Sequence, residues 1–395
     1  MKNNVLKIYT YTFFRLLIFI LSVFIPFVQS YGLSMKEVFE ILAIFNLSMV
    51  LFDVPAGYLC DIIGRKKTLL MGSFTAAAGY TSLCFADSYL ELAAVYFVVA
   101  IGFSLISGAD IAFIYESLEH LPPEKRVPHR IIARQQLLLV LSEAIAAIIG
   151  GHVAEHSMRT LAIMNAVAAW VPFFIAFSFK EPLMKRSLHQ RKNFFSFLGY
   201  FKKLFAEDKT ARMIFSNWVF WSFSTYTAIW ILQKSWSEKD LNMIMFGYLW
   251  ALCNVSVGVF GHAVESLQKS YGTKFVLVLI GLGPVLGYFG TTSSELGIAL
   301  GMSLLFYMSR GMFNVSLREL FNSRITHEYR ATGNSLISFS MRLLFFVISP
   351  IIGWGIDKRG SAFVSYGLGL LCVAAFVCLL IPLIKNIEDL PQKTG

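Results

Sequence analysis

The chain has 395 residues, of which 56% are hydrophobic and only 15% are charged, and its mean hydropathy is +0.63. About one-quarter of the residues of an ordinary soluble protein are charged, so this composition excludes that class and indicates a polytopic membrane protein. The formal net charge of +10 does not indicate nucleic-acid binding, because the basic residues lie in short breaks between apolar runs and not on one soluble face.

A helix that crosses a bilayer needs about 20 apolar residues, and we find about twelve such runs. A backbone in lipid must satisfy its own hydrogen bonds, and no run alternates like a barrel strand, so each is predicted to be a helix. The first run has a basic start like a signal peptide. No small-residue cleavage site ends it, so we interpret it as a retained span. The predicted spans are 8–30, 38–58, 68–87, 90–114, 131–154, 160–180, 210–232, 242–263, 274–290, 295–317, 331–354 and 361–384.

The lysine and arginine residues are divided unevenly between the two sides of the membrane. If the N-terminus is cytoplasmic, 25 of the 34 fall on the cytoplasmic side, six on the other side and three inside spans. Cytoplasmic loops carry an excess of Lys and Arg. The sequence therefore predicts a multi-pass protein of the cell inner (cytoplasmic) membrane with both termini in the cytoplasm.

The longest break, residues 181–209, falls after six spans and before six more, and it carries many cations and five phenylalanines. It predicts an N-terminal six-helix bundle (1–180), a cytoplasmic linker (181–209) and a C-terminal six-helix bundle (210–395). We interpret the linker as a short amphipathic helix along the inner leaflet. A regulatory or partner-binding role is the alternative.

The two halves show a weak internal repeat. Glu124 and Arg126 precede the fifth span as Glu328 and Arg330 precede the eleventh, an offset of 204 residues. The segment "GHAVESLQKSYGTK" after the eighth span is a degenerate copy of the segment "GYLCDIIGRKK" after the second span. Parallel six-helix repeats that face each other across a midplane site are a transporter architecture.

The segment "DVPAGYLCDIIGRKK", residues 53–67, resembles the loop between helices two and three of the major facilitator superfamily. The matching positions are Gly57, Asp61, Gly64, Arg65 and Lys66, with Asp53 and Pro55 at the entry. "EYRATGNSLISFSMRL", residues 328–343, resembles the entry to helix eleven of the same superfamily. The resemblance implies an all-α fold of two six-helix bundles around a central cavity, alternating access, and helices one, four, seven and ten along the path. Helix five has Gly150 and Gly151 but lacks the proline of the drug–proton antiporters.

The loop after the second span is predicted to be a conformational latch. Gly57 and Gly64 allow a tight turn. Asp61 can sit against a helix N-terminus, whose free N–H groups attract anions, and the resemblance suggests helix eleven as that helix. Asp53, one turn away, is assigned to the same latch.

Arg65 is expected to pair with Glu116 or Glu119 at the end of the fourth span. Such contacts would close the cytoplasmic side in one state and break in the other. The alternative is that the loop cations are a topology signal and an anchor for lipid phosphates, which we favour for Lys66 and Lys67.

Ionisable residues inside spans are costly and are therefore candidates for function. Glu143 near mid-span could carry a proton, and arginine suits carboxylate or phosphate, which suggests an anionic or zwitterionic substrate. The alternative is buried ion pairs, for example between Asp110 and Arg15. The candidates for the substrate and ion pathway in this class are Arg15, Asp110, Glu143, Arg310 and Arg342.

Polar and aromatic residues of the seventh and tenth spans complete the predicted pathway. Asn217, Trp221 and Tyr226 would supply hydrogen bonds and flat apolar surface. Asn314 is a further mid-span amide, for which helix–helix hydrogen bonding is an equal alternative.

No residue pattern indicates an enzyme, a cofactor or a metal site. There is no Walker loop, so ATP does not drive transport directly, and His152 and His156 are interpreted as loop histidines. We expect a monomeric secondary transporter, coupled to protons through Glu143 or Asp110, whose partners are a small molecule, the proton and membrane lipids. The alternatives are an exporter of a metabolite, siderophore or drug, and a receptor or sensor that keeps the fold without transport.

Overall fold

A computed structural model describes residues 2–119, 128–181, 194–326 and 329–387, and within these ranges the regular secondary structure is helical with no strand. The helices are α1 (Lys2–Arg15), α2 (Phe24–Gln29), α3 (Met35–Ile63), α4 (Arg65–Ser82), α5 (Tyr89–Ser107), α6 (Asp110–Glu119), α7 (Pro128–His156), α8 (Met158–Phe177), α9 (Phe194–Glu207), α10 (Lys209–Glu238), α11 (Met243–Gly290), α12 (Leu296–Arg324), α13 (Arg330–Ala375) and α14 (Ile381–Asn386). Leu21–Val23 and Leu83–Phe85 form 3-10 turns, and Phe376–Leu380 forms a π-helical turn.

Local sequence signals explain several helix ends. Ser34 and Ser88 each begin a helix with a capping box, in which the serine side chain accepts from the third residue and a glutamate there bonds back. Gly64 ends α3 with φ 98° and ψ 162°, a conformation that favours glycine. Gly57 lies inside α3, so the prediction that it also forms part of the turn is wrong. Gly272 and Gly360 have the same kind of backbone as Gly64, inside α11 and α13. These two long helices are therefore each divided into two spans.

The helices agree with the predicted spans. Seven helices of the described residues are long and apolar enough to cross a membrane by length and composition, and two of them contain the glycine breaks. The first, third and seventh predicted spans correspond to α1 with α2, to α4 and to α10. The prediction of an all-α polytopic fold is thus confirmed.

The chain forms two compact units. The first unit comprises residues 1–186, 236–252 and 346–354, and α1, α3, α4, α5, α7 and α8 pack on one another in it. It contains a cluster of buried apolar side chains that includes Tyr11, Phe113 and Phe179. Near its C-terminal end, α7 approaches the backbone of the first segment closely, because a Cβ on Gly150 would strike the carbonyl of Phe19.

The second unit comprises residues 187–235, 253–345 and 355–395. The helix predicted for the linker is present as α9, but the side of α9 that carries Phe201 packs on protein. Phe201 is 3% exposed, and a Cβ on Gly333 would lie 3.2 Å from its ring. Tyr200 stacks on Tyr329 with 4.0 Å between ring centroids and 17° between planes. The exposed side of α9 carries Lys203, and that side is available to a lipid surface.

Candidate functional site

The first membrane-crossing segment is broken near its middle. Helix α1 ends at Arg15, a 3-10 turn follows at Leu21–Val23, and α2 starts at Phe24. Pro26 has no N–H to donate back to the preceding turn, so a continuous helix would lack a hydrogen bond there, whereas the first turn of α2 tolerates it. In a membrane, such a break is tolerated only where it is buried in protein or lines a cavity.

The fourth segment is also broken, and an ion pair joins the two breaks. Helix α5 ends at Ser107, and α6 starts at Asp110. The Arg15 Nη1 atom lies 2.9 Å from Asp110 Oδ2, with 14% and 11% of the two side chains exposed. Arg15 sits at the C-terminus of α1 and Asp110 at the N-terminus of α6, so each charge lies at the helix end that stabilises it. The anticipated Arg15–Asp110 pair is therefore present.

Hydrogen bonds from α7 hold the end of α1. The Ser142 hydroxyl donates to the carbonyl of Phe13, one of the carbonyls left without an intrahelical partner. The Gln135 Nε2 atom donates to Thr12 Oγ1 at 3.0 Å, and both side chains are buried. Sequence reasoning missed these residues. The signal was a seven-residue spacing of polar positions, 135 and 142, on one face of an apolar helix.

Glu143 follows Ser142 directly and is half-buried on α7. The structure thus places this predicted proton carrier on the helix that contacts α1, and Glu143 is engaged by neighbouring groups. Its role in proton transfer stays a prediction.

The predicted residues of the seventh span are tied into packing in the second unit. The Asn217 amide donates to the carbonyls of Met213 and Leu379, both at 2.9 Å, and accepts from the Trp221 indole at 3.1 Å. Asn217 and Trp221 are both 0% exposed. Tyr226 is half-buried and packs edge-on against the Phe345 ring. These contacts support a structural role for Asn217 and Trp221.

Arg310 differs from the other arginines of the spans. It is half-buried on α12 and forms no ion pair within the part of the chain that the structure describes. Asn314, one turn further along, is also half-buried, and Arg342 on α13 is half-buried and engaged by its neighbours.

The loop between α3 and α4 holds Arg65 between two carboxylates. Its Nε donates to Glu116 Oε1 at 2.8 Å, and its Nη1 donates to Asp61 Oδ1 and, at 3.1 Å, to Cys60 Sγ. Burial alone would lower the pKa of Arg65, but these hydrogen bonds raise it, so the guanidinium stays charged. The predicted pairing of Arg65 with Glu116 is confirmed, whereas the side chain of Glu119 lies outside the described residues.

Glu181 occupies the N-terminus of α4, next to the same loop. Its Oε1 accepts from the Lys66 N–H at 3.2 Å, and a Cβ on Gly64 would lie 2.7 Å from that oxygen. No sequence signal pointed to this contact, because Glu181 follows Gly64 by more than 100 residues. Asp53 lies near Ser107, whose hydroxyl is 3.4 Å from its carboxylate.

The internal repeat is visible in the backbone. Gly64 has φ 98° and ψ 162°, and Gly272 has φ 83° and ψ 162° after the eighth span. A Cβ on Gly108 would lie 3.3 Å from the nitrogen of Gly57, and one on Gly311 would lie 3.0 Å from the nitrogen of Gly261. The repeat residues Glu124, Arg126 and Glu328 lie outside the described residues.

His152 and His156 lie in the last turns of α7 and not in a loop, so their interpretation as loop histidines is wrong, and both make local contacts. Each ring Nδ1 bonds to the carbonyl four residues earlier, at 2.9 and 3.0 Å. The searched residues contain no group of three or more His, Cys, Asp or Glu that could hold a metal ion.

Membrane helices that break around buried charges are typical of polytopic transport proteins. A family model described as "Major Facilitator Superfamily" matches residues 8–350. The chain belongs to the major facilitator superfamily and is a membrane transporter, not an enzyme. No curated protein sequence matches it.

Solved transporter structures share the fold. The nucleoside transporter NupG, in a mutant form, has a TM-score of 0.81 and 10% identity over 97% of this chain and 99% of that chain. A D-xylose-proton symporter has a TM-score of 0.72 and 13% identity over 98% of both chains. A bacterial homolog of the human lysosomal transporter Spinster has a TM-score of 0.70 and 14% identity over 97% and 95%.

Proposed function

We propose that this transporter is a proton-coupled secondary carrier of an anionic or zwitterionic small molecule in the cytoplasmic membrane, with both termini in the cytoplasm. The observation that carries the proposal is the Arg15–Asp110 ion pair, which joins the breaks of two membrane segments. The charge bias of the loops supports the orientation. The proposal treats the protein as a monomer with two six-helix bundles linked at 181–209.

The ion pair is suited to link a proton to a conformational change. Protonation of Asp110 would remove the charge that neutralises Arg15, and an uncompensated charge in a membrane interior is costly. The ends of α1 and α6 would then have to rearrange, because the pair directly connects them. Glu143 on α7 is the second candidate carrier, since Ser142 beside it holds the end of α1.

The negative charge of the substrate is inferred from Arg310. A half-buried guanidinium without an ion pair in the described residues offers a planar fork of donors, which matches a carboxylate or phosphate. An Arg310→Ala variant is expected to lose binding of anions while keeping its fold.

The cytoplasmic loop is proposed to act as a latch. Asp61 keeps 68% of its side chain exposed while it pairs with Arg65, so it can exchange this partner for a helix N-terminus in another state. Asp61→Asn should lower the transport rate more than the amount of protein in the membrane. Unchanged flux in this variant would remove the latch.

Proteoliposomes test the central proposal and also establish the direction. The purified protein is reconstituted with a pH-sensitive dye inside, and proton movement is recorded on addition of candidate anions to either side. Asp110→Asn should abolish substrate-driven proton movement, whereas Glu207→Gln, which alters an exposed carboxylate, should not. Anion flux without proton movement in the unmodified protein would refute the coupling. Flux favoured from the cytoplasmic side would identify an exporter.

A further inference from the structure

Two buried polar atoms near the end of α1 lack a partner among the described residues. They are Arg15 Nε, a donor, and Gln135 Oε1, an acceptor. Gln135 is 1% exposed, and its Nε2 already donates to Thr12. Thr12 and Arg15 are three residues apart and therefore neighbours on one face of α1. The donor belongs to a side chain of the last turn of α1, and the acceptor belongs to a side chain that is hydrogen-bonded to that same turn.

The charges of Arg15 and Asp110 decide which chemical group of a ligand can hydrogen-bond to these two atoms. Asp110 neutralises Arg15 at 2.9 Å, so an anion would meet the Asp110 carboxylate and a cation would meet the guanidinium. Burial of an unsatisfied polar group is costly, so a ligand that satisfies both atoms is strongly preferred. A hydroxyl satisfies both, because it accepts one hydrogen bond and donates another. An ether oxygen can only accept, and an ammonium can only donate.

We infer that Arg15 and Gln135 form a subsite for one hydroxyl group of the transported molecule. Arg15 Nε donates to the hydroxyl oxygen, and Gln135 Oε1 accepts the hydroxyl proton. Arg15 is also a member of the ion pair between the ends of α1 and α6, so the subsite lies beside that pair. This inference rests on the proposed transport function, and it adds a hydroxyl to the chemistry of the substrate.

The test uses triads of probes that differ at one position. Serine, alanine and O-methylserine are zwitterionic; lactate, propionate and 2-methoxypropionate are anionic; uridine, 2′-deoxyuridine and 2′-O-methyluridine are uncharged. Dissociation constants are measured by intrinsic fluorescence on the purified full chain. In at least one triad the hydroxyl compound should bind at least about tenfold tighter than the other two, because a site built for a hydroxyl rejects analogues that lack it.

Variants at position 135 assign this preference to the subsite. Gln135→Leu should reduce the preference to within about twofold, and Gln135→Met is a second variant of similar length if the first does not fold. The matched control is Asn165→Leu on α8, which removes another buried amide whose oxygen has no partner among the described residues. It should keep the preference of the unmodified protein.

Three results would overturn the inference. They are a preference that survives in both Gln135 variants, an equal loss in Asn165→Leu, and an unmodified protein that prefers no hydroxyl compound. Flux of the same probes separates this inference from the proposed function. Flux without hydroxyl preference removes the subsite and leaves transport intact. Hydroxyl preference without flux leaves the subsite and removes transport.

Discussion

Substitution of Gly64 by alanine is expected to destabilise the protein strongly, although the change adds a single methyl group. The residue has φ 98° and ψ 162°, a region that side-chain-bearing residues enter at a cost of about 1–3 kcal/mol. The new Cβ would also lie 2.7 Å from Glu181 Oε1. Glu181 would move and lose its hydrogen bond to the Lys66 N–H, a further cost of about 0.5–1.5 kcal/mol. The two terms together predict a loss of about 1.5–4.5 kcal/mol.

The matched control is Gly57→Ala, seven residues earlier. Gly57 lies inside α3, and a Cβ there would have no neighbour within 4 Å, so alanine should stabilise the helix by about 0.5–1 kcal/mol. Both variants are compared by unfolding in mixed detergent and SDS, with tryptophan fluorescence as the signal. The double variant Gly64→Ala with Glu181→Gly separates backbone strain from the clash. Equal stability of Gly64→Ala and Gly57→Ala would refute the reasoning.

Three further predictions concern buried groups and can be checked by the same unfolding titration. Asp110→Ala should cost about 3–5 kcal/mol, because it leaves Arg15 charged without its partner; adding Arg15→Leu should recover part of the loss, and no recovery would contradict the ion-pair account. Asn217→Leu should cost about 1–3 kcal/mol, since it leaves the Trp221 indole without its acceptor; a neutral effect would mean that the bond contributes nothing. Gly150→Ala should destabilise by at least about 1–3 kcal/mol through overpacking against the Phe19 carbonyl, and wild-type stability would show that the crossing can relax.

The breaks in the first and fourth membrane segments are features that hydropathy alone does not predict. The runs 8–30 and 90–114 are mostly apolar despite Arg15 and Asp110, and this pattern predicts one continuous helix for each. Pro26 and Gly108 were present in the sequence as signals, but both residue types also occur inside continuous membrane helices. Whether the chain breaks depends on side chains such as Ser142, which can satisfy the freed carbonyls only after α7 has packed against α1.

The sequence by itself predicted about twelve spans from composition and hydropathy, and the charges of residues 53–67 and of the end of the fourth span predicted that Arg65 pairs with Glu116 or Glu119. The motif of residues 53–67 was legible through its resemblance to a known family. Only the tertiary structure decided the roles of the buried polar residues. In the folded chain, Asn217 donates a hydrogen bond to the carbonyl of Leu379, and Arg15 pairs with Asp110. Gln135 donates a hydrogen bond to Thr12 on α1. The physical reason is that a polar atom inside a membrane protein must find its partner within the protein, and that partner is fixed by helix packing across long stretches of chain.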